Sequence, residues 1–194
     1  SGELEPPDMG RLDEALKQDQ SITHVVLVHG ETTTGMINPL APIARIVKGH
    51  ERLLLVDSMS AFGGVPLDIA ELGIDYLVSS SNKCIQGVPG FGFVIGRTAH
   101  LQQTRGWARS LSLDLYAQWQ GMEQGHGKWR FTSPTHVVRA FYQALMELEE
   151  EGGITARHAR YSENQRRLVT GMERLGFGCV LAAEYRGPII TGFH

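Results

Sequence analysis

Cys84 and Cys179 are the only cysteines in 194 residues. Two are too few for a disulfide framework, and such sparse usage fits a reducing compartment. Long apolar runs are also missing. Nothing approaches the ~20 residues of a membrane-spanning helix, and the first residues carry no signal-peptide core. These absences predict a cytoplasmic protein with no membrane partner. Charge of one sign is lacking too: the net charge is −3, which leaves no basic field to hold nucleic acid. The expected partners are small molecules.

Several binding signatures are absent. There is no G-x-x-x-x-G-K-[ST], and Gly87, Gly90, Gly92 and Gly96 lead into and bracket an apolar run rather than forming a G-x-G-x-x-G turn before a helix. His29-Gly-Glu31 matches half of a zinc-deaminase signature, but the P-C-x-x-C half does not occur. His126, His136 and His158 show no metal-ligand spacing, so they read as structural or surface residues and no metal is expected. No internal repeat, low-complexity tract or charged tail is present.

Short apolar runs alternating with helical patterns fill the segment Ile22 to Ile95. That alternation predicts an α/β fold, with a mostly parallel sheet sandwiched by helices. The expected strands are 23–28, 53–56, 74–78 and 91–95, with helices at 11–18, 39–48 and 66–72. Continuous runs such as Leu53 to Val56 suggest burial on both faces, so helices should cover both sides. Ser133-Pro134 can start a long helix that Gly152-Gly153 ends, and a second helix follows with Gly176 as its stop. Runs 178–181 and 188–193 read as new strands. The expected division is a partial cofactor-binding large domain over 1–153, a linking helix over 154–176, and the start of a small C-terminal α+β domain over 177–194. The chain begins without methionine and stops inside an expected strand, so it is read as part of a longer one.

Ligands of open parallel sheets sit at the carboxyl ends of the strands. Those ends here read His29 to Gly35 (HGETTTG), Asp57 to Gly64 (DSMSAFGG) and Ser79 to Lys83 (SSSNK). A carboxylate, a cluster of hydroxyls and an amine would therefore share one rim. Asp57 ends an apolar strand, where a carboxylate needs a cation or strong donors; alternatively it caps the next turn. Magnesium or a ribose hydroxyl could use it, though neither has its accompanying loop. Lys83 could be a solvated loop residue. If it is desolvated beside cationic groups, its neutral amine can attack carbonyl carbon, and Schiff-base chemistry is the natural use. Pyridoxal phosphate joins the two residues: its aldehyde suits Lys83 and its protonated ring nitrogen suits Asp57. Thr32, Thr33 and Thr34 could bond a phenolic oxygen, Met59 could pack on a ring, and Asn82 with the serines beside Lys83 could hold a phosphate. Each also has a plain role in packing or turn formation. Cys84 is either a reactive thiol beside a cation or a small buried filler.

On these residues the chain resembles the class V, fold-type I pyridoxal-phosphate-dependent aminotransferases. The likeness runs through 29–40, 53–64 and 80–91 and covers nearly the whole chain. It implies that Lys83 carries the cofactor and is catalytic. It also implies that Asp57 contacts the pyridine nitrogen, Thr32 and Thr34 lie near the ring oxygen, Met59 near the ring face, and Asn82 near the phosphate. The family's site lies at a homodimer interface, where Thr132 would reach the partner subunit's cofactor. Segments 109–119 and 126–136 favour the branch that moves the amino group of 2-aminoethylphosphonate to pyruvate; an alanine–glyoxylate or serine–pyruvate branch is the alternative. The resemblance places a phosphate-binding turn and a stacking aromatic before Ser1, and an anion-gripping arginine beyond His194. The isolated segment is therefore expected to be catalytically silent, and a non-catalytic domain that keeps only the fold is the competing reading.

Overall fold

The computed structural model describes residues 4–194. Its centre is a four-stranded sheet in the order β1-β2-β3-β4, formed by β1 His24–Val28, β2 Leu53–Asp57, β3 Tyr76–Ser80 and β4 Gly92–Gly96. The first three strands are parallel, with Val28 opposite Asp57 and Asp57 opposite Val78. This register brings the ends of β1, β2 and β3 to one rim. β4 runs antiparallel to β3. The connection 81–91 contains no helix and is too short to cross back over the sheet, so the chain returns alongside β3.

Helices α1 Met9–Gln18 and α2 Leu40–Gly49 cover one face of the sheet. Asp8 starts α1 by accepting from the Arg11 amide at 3.0 Å. Leu16, Leu40, Ile43, Ala44 and Val47 pack against Leu27, Leu54, Val56 and Leu77 to form the main core. Burial of each leucine, isoleucine or valine among these stabilises the fold by roughly 1.5–3 kcal/mol before conformational entropy is counted.

The opposite face differs from the expectation of complete helical cover. The segment with α3 Thr98–Leu101 and α4 Leu115–Gln124 reaches it only partly. The Tyr76 hydroxyl meets His100 Nδ1 at 2.7 Å there, while Val26 of β1 remains 69% exposed. An apolar run shows that a strand can be buried on both sides, but the covering element must come from elsewhere in the chain.

Two local expectations are corrected. Residues 66–72 form turns rather than a helix: Asp68 takes the amides of Ala70 and Glu71, and Gly73 leaves at φ +63 after one turn. The runs 178–181 and 188–193 give no extended strands, only an antiparallel bridge between Cys179 and Phe193. They bond chiefly to each other through Gly178–His194 and Val180–Gly192, and a two-stranded ribbon has little support of its own.

Helices α5 Thr135–Glu150 and α6 Gly153–Arg174 are separated by Glu151 and Gly152, and the chain turns at Gly152 and at Gly153, the first residue of α6, whose φ values are +104 and +76. Ala144 and Leu148 of α5 bury Ile85 in a second, smaller core with Phe62, Phe141 and Ile154. That core lies beneath the loop that carries Lys83. Among the described residues, no helix is long and apolar enough to cross a membrane.

Candidate active site

The rim is built by backbone bonds between neighbouring strand ends. The His29 amide donates to the Asp57 carbonyl at 2.7 Å, and the Ser58 amide donates to Val78 at 2.9 Å. The His29 ring is 3% exposed and its Nδ1 lies 3.0 Å from Ser58 Oγ. Burial pushes the imidazole down to about 4, so it is neutral at ordinary pH. Asn38 Nδ2 fixes the same loop by donating to the Val28 carbonyl and Glu31 Oε1.

Thr32 is exposed, and its hydroxyl lies 2.7 Å from Ser60 Oγ. The structure thus joins the loops after β1 and β2 through a pair of hydroxyls. Thr33 is exposed as well. Thr34 is buried, and its hydroxyl accepts weakly from the Met36 amide at 3.4 Å. Thr132 is exposed in the segment before α5, away from the three strand ends in sequence.

Asp57 is half-buried, and its Oδ1 accepts from the Met59 amide at 2.9 Å. The turn-capping role is therefore present. Among the described residues, its second oxygen meets no donor and the carboxylate has no ion-pair partner. Met59 is half-buried beside β4: a Cβ on Gly92 would stand 3.8 Å from its methyl group.

The loop after β3 closes on itself. Gly87 donates to the Ser81 carbonyl at 2.9 Å, Gln86 to the Lys83 carbonyl at 2.8 Å, and Ser81 Oγ to Val88 at 2.7 Å. Lys83 stands at its tip and is exposed. The desolvated setting considered from sequence is not supplied by the described residues. Asn82 is half-buried, and Ser80 Oγ is buried without a hydrogen-bond partner. Cys84 fills space: it is 3% exposed, its Sγ donates to the Ser60 carbonyl at 3.3 Å, and burial pushes its thiol up to about 11.

An orphaned hydroxyl, a carboxylate with one unengaged oxygen, and an exposed amine on neighbouring strand ends fit pyridoxal phosphate. Ser80 and Asn82 can donate to its phosphate, Asp57 can pair with its ring nitrogen, and Lys83 can meet its aldehyde. Among the described residues, no group of three or more His, Cys, Asp or Glu is gathered to hold a metal.

Sequence reasoning did not pair Ser60 with Thr32, although both lie in the quoted loops. It missed Arg157 entirely. Arg157 is 2% exposed on α6, and its guanidinium reaches the carbonyls of Cys84 and Ile85. No local motif distinguishes it from the helix's other arginines.

Known proteins share this arrangement of sequence and fold. The chain is 60% identical over 193 residues to 2-aminoethylphosphonate–pyruvate transaminase of Vibrio vulnificus strain YJ016, covering 100% of this chain and 53% of that protein. It is 60% identical over 191 residues to the protein of the same name from Bacteroides fragilis strain YCH46, covering 98% and 53%. The chain spans about half the length of these curated relatives. In fold it is similar to alanine–glyoxylate aminotransferase from a Nostoc species, with a TM-score of 0.87 at 24% identity, covering 100% of this chain and 51% of that one. It is also similar to pyridoxamine–pyruvate aminotransferase from Mesorhizobium loti, with a TM-score of 0.87 at 23% identity, covering 97% and 48%. The model of the family described as aminotransferase class-V matches residues 3–191, and the chain belongs to that family.

Proposed function

We propose that the protein is a pyridoxal-phosphate-dependent transaminase that moves the amino group of 2-aminoethylphosphonate to pyruvate, giving phosphonoacetaldehyde and L-alanine. The observation that carries the chemistry is the alignment of Asp57 and the Lys83 loop on one rim by the parallel register of β2 and β3. The substrate choice is supported by the names of relatives at 60% identity.

Bound pyridoxal phosphate supplies an electron sink that lets a proton leave the carbon bearing the amine. Lys83 would hold the cofactor through its amine, give it up to the incoming substrate amine, and with its nitrogen freed move that proton, first as base and then as acid. Asp57 keeps the ring nitrogen protonated, and the Met59 amide holds the carboxylate in orientation. Ser80 and Asn82 donate to the phosphate, Met59 packs on the ring, and Thr32 donates to the ring oxygen. Thr34 joins Thr32 only by giving up its weak bond to Met36.

The full protein is a cytoplasmic homodimer in which Thr132 reaches the partner subunit's cofactor. The division into residues 1–153, 154–176 and 177–194 belongs to the same proposal. Borohydride reduction of the full protein with pyridoxal phosphate should leave a pyridoxyl label on Lys83, located by peptide mass spectrometry. A coupled assay should detect phosphonoacetaldehyde and alanine. A label elsewhere sinks the cofactor assignment, and preference for alanine with glyoxylate moves the substrate assignment to the alternative branch.

A further inference from the structure

The first part of α6 grips the loops that follow β2 and β3. Arg157 Nη1 donates to the carbonyl of Cys84 at 2.8 Å and to that of Ile85 at 3.2 Å. These are the first two carbonyls after Lys83. One residue along the helix, His158 Nδ1 lies 2.9 Å from the Gly64 carbonyl at the end of the Asp57 loop. One turn further, Tyr161 Oη accepts from Gln86 Nε2 at 2.8 Å.

Arg157 is anchored from its other edge. Its Nε and Nη2 donate to Glu151 Oε2 at 2.8 and 2.7 Å, while Arg160 Nε donates to Glu151 Oε1 at 2.7 Å. The guanidinium therefore has one edge fixed by a carboxylate and another nitrogen spent on the peptide beside Lys83. Its burial is almost complete, at 2% exposure. Taking a cation out of water for two loop carbonyls is costly unless it is paired and its donors are used; here the carboxylate of Glu151 pairs with it, and four of its five N–H groups are engaged. An apolar side chain would fill the space but leave those buried carbonyls without their donor. Lysine, with a single point of charge, cannot reproduce the planar fork.

We propose that Arg157, braced by Glu151, is a positioning residue for Lys83: it fixes the Cys84–Ile85 peptide, one residue beyond the lysine, and so sets where the amine stands on the rim. This inference rests on the assignment of Lys83 as the cofactor-holding residue. It assigns Arg157 no contact with cofactor or substrate.

The test uses the full-length protein with pyridoxal phosphate, comparing the parent with Arg157→Lys and Glu151→Gln. Three quantities are read: cofactor bound by equilibrium dialysis, the pyridoxyl label on Lys83 after brief borohydride treatment, and turnover with 2-aminoethylphosphonate. For Arg157→Lys, bound cofactor should stay within about twofold, while the label falls about fivefold and kcat about tenfold with little change in KM, because misplacement of a reacting group acts on the chemical step. Glu151→Gln should move the same readings in the same direction by about threefold, and carries the test if Arg157→Lys does not fold. Leu54→Ala, in the main core, supplies a variant that is destabilised without touching the loop. An unchanged label and kcat in Glu151→Gln overturns the proposal. So does an equal loss of label in Leu54→Ala, which would make Arg157 merely structural. If the parent itself carries its label at another lysine, the functional assignment and this proposal fall together; a parent label on Lys83 with unaltered variants removes only the positioning role.

Discussion

His29 Nδ1 and Ser58 Oγ lie 3.0 Å apart in the interior, tying the residue after β1 to the residue after Asp57. The imidazole is buried and neutral, so this tie links the candidate site to pH through the folding equilibrium. The neutral ring can exchange one proton role with the hydroxyl; a protonated ring would place an extra charge among buried groups.

His29 should make the fold sensitive to mild acid. Its folded value is depressed to about 4 from 6.5, so the unfolded chain takes up a proton that the folded chain refuses. The contribution is fully present above pH 6.5 and is lost as pH falls from 6.5 toward about 4; this single site accounts for about 3 kcal/mol across the window. Urea unfolding of the parent and His29→Gln at several pH values measures it. The stability difference between the two proteins should change across that window, and a difference independent of pH would remove His29 as the cause.

Asp57→Asn should impair turnover more than cofactor uptake. The amide can still accept from the Met59 amide, so the local turn survives, but it cannot hold a proton on a pyridine nitrogen as a carboxylate does. Each unit of pKa lost there corresponds to about 1.4 kcal/mol, or tenfold in rate. At matched cofactor occupancy, steady-state kinetics should show at least a tenfold loss of kcat; equal rates would take Asp57 out of this role.

Cys84 should resist alkylation in the native protein. Its thiol is buried, donates to the Ser60 carbonyl, and is pushed up to about 11, which leaves little thiolate at neutral pH. Iodoacetamide labelling followed by peptide mass spectrometry should find Cys84 modified only after denaturation. Rapid native labelling would show that the loop opens.

Gly35 and Gly49 should respond to alanine in opposite ways. A Cβ on Gly35 would clash with the Ile190 carbonyl oxygen, at a φ of +81. Gly35→Ala must therefore displace the segment near Ile190 and should cost about 2 kcal/mol or more. Gly49 ends α2 with nothing within 4 Å of a new Cβ, so Gly49→Ala should be neutral or stabilising by up to about 1 kcal/mol. Thermal melts of the two variants compare them directly.

The sequence by itself determined the four strands of the sheet, the long helices and the rim. Apolar runs bounded by turns mark β1 to β4 within a residue or two, because a strand's burial is written locally in its side chains. Asp57 and Lys83 were legible as chemistry since each follows such a run, and parallel register then aligns their strand ends. The Pro66–Leu72 segment misled because one turn of capped backbone has the same local pattern as the start of a helix.

Only the tertiary structure decided what surrounds those residues. The exposure of Lys83, the meeting of Thr32 with Ser60, and the separation of Thr34 from that pair all depend on how loops distant in sequence pack together. Arg157 is the clearest case: it lies 72 and 73 positions from the carbonyls that it holds. Hydrophobic periodicity is a property of neighbours along the chain, whereas a buried guanidinium finds its acceptors only after the fold has closed around it.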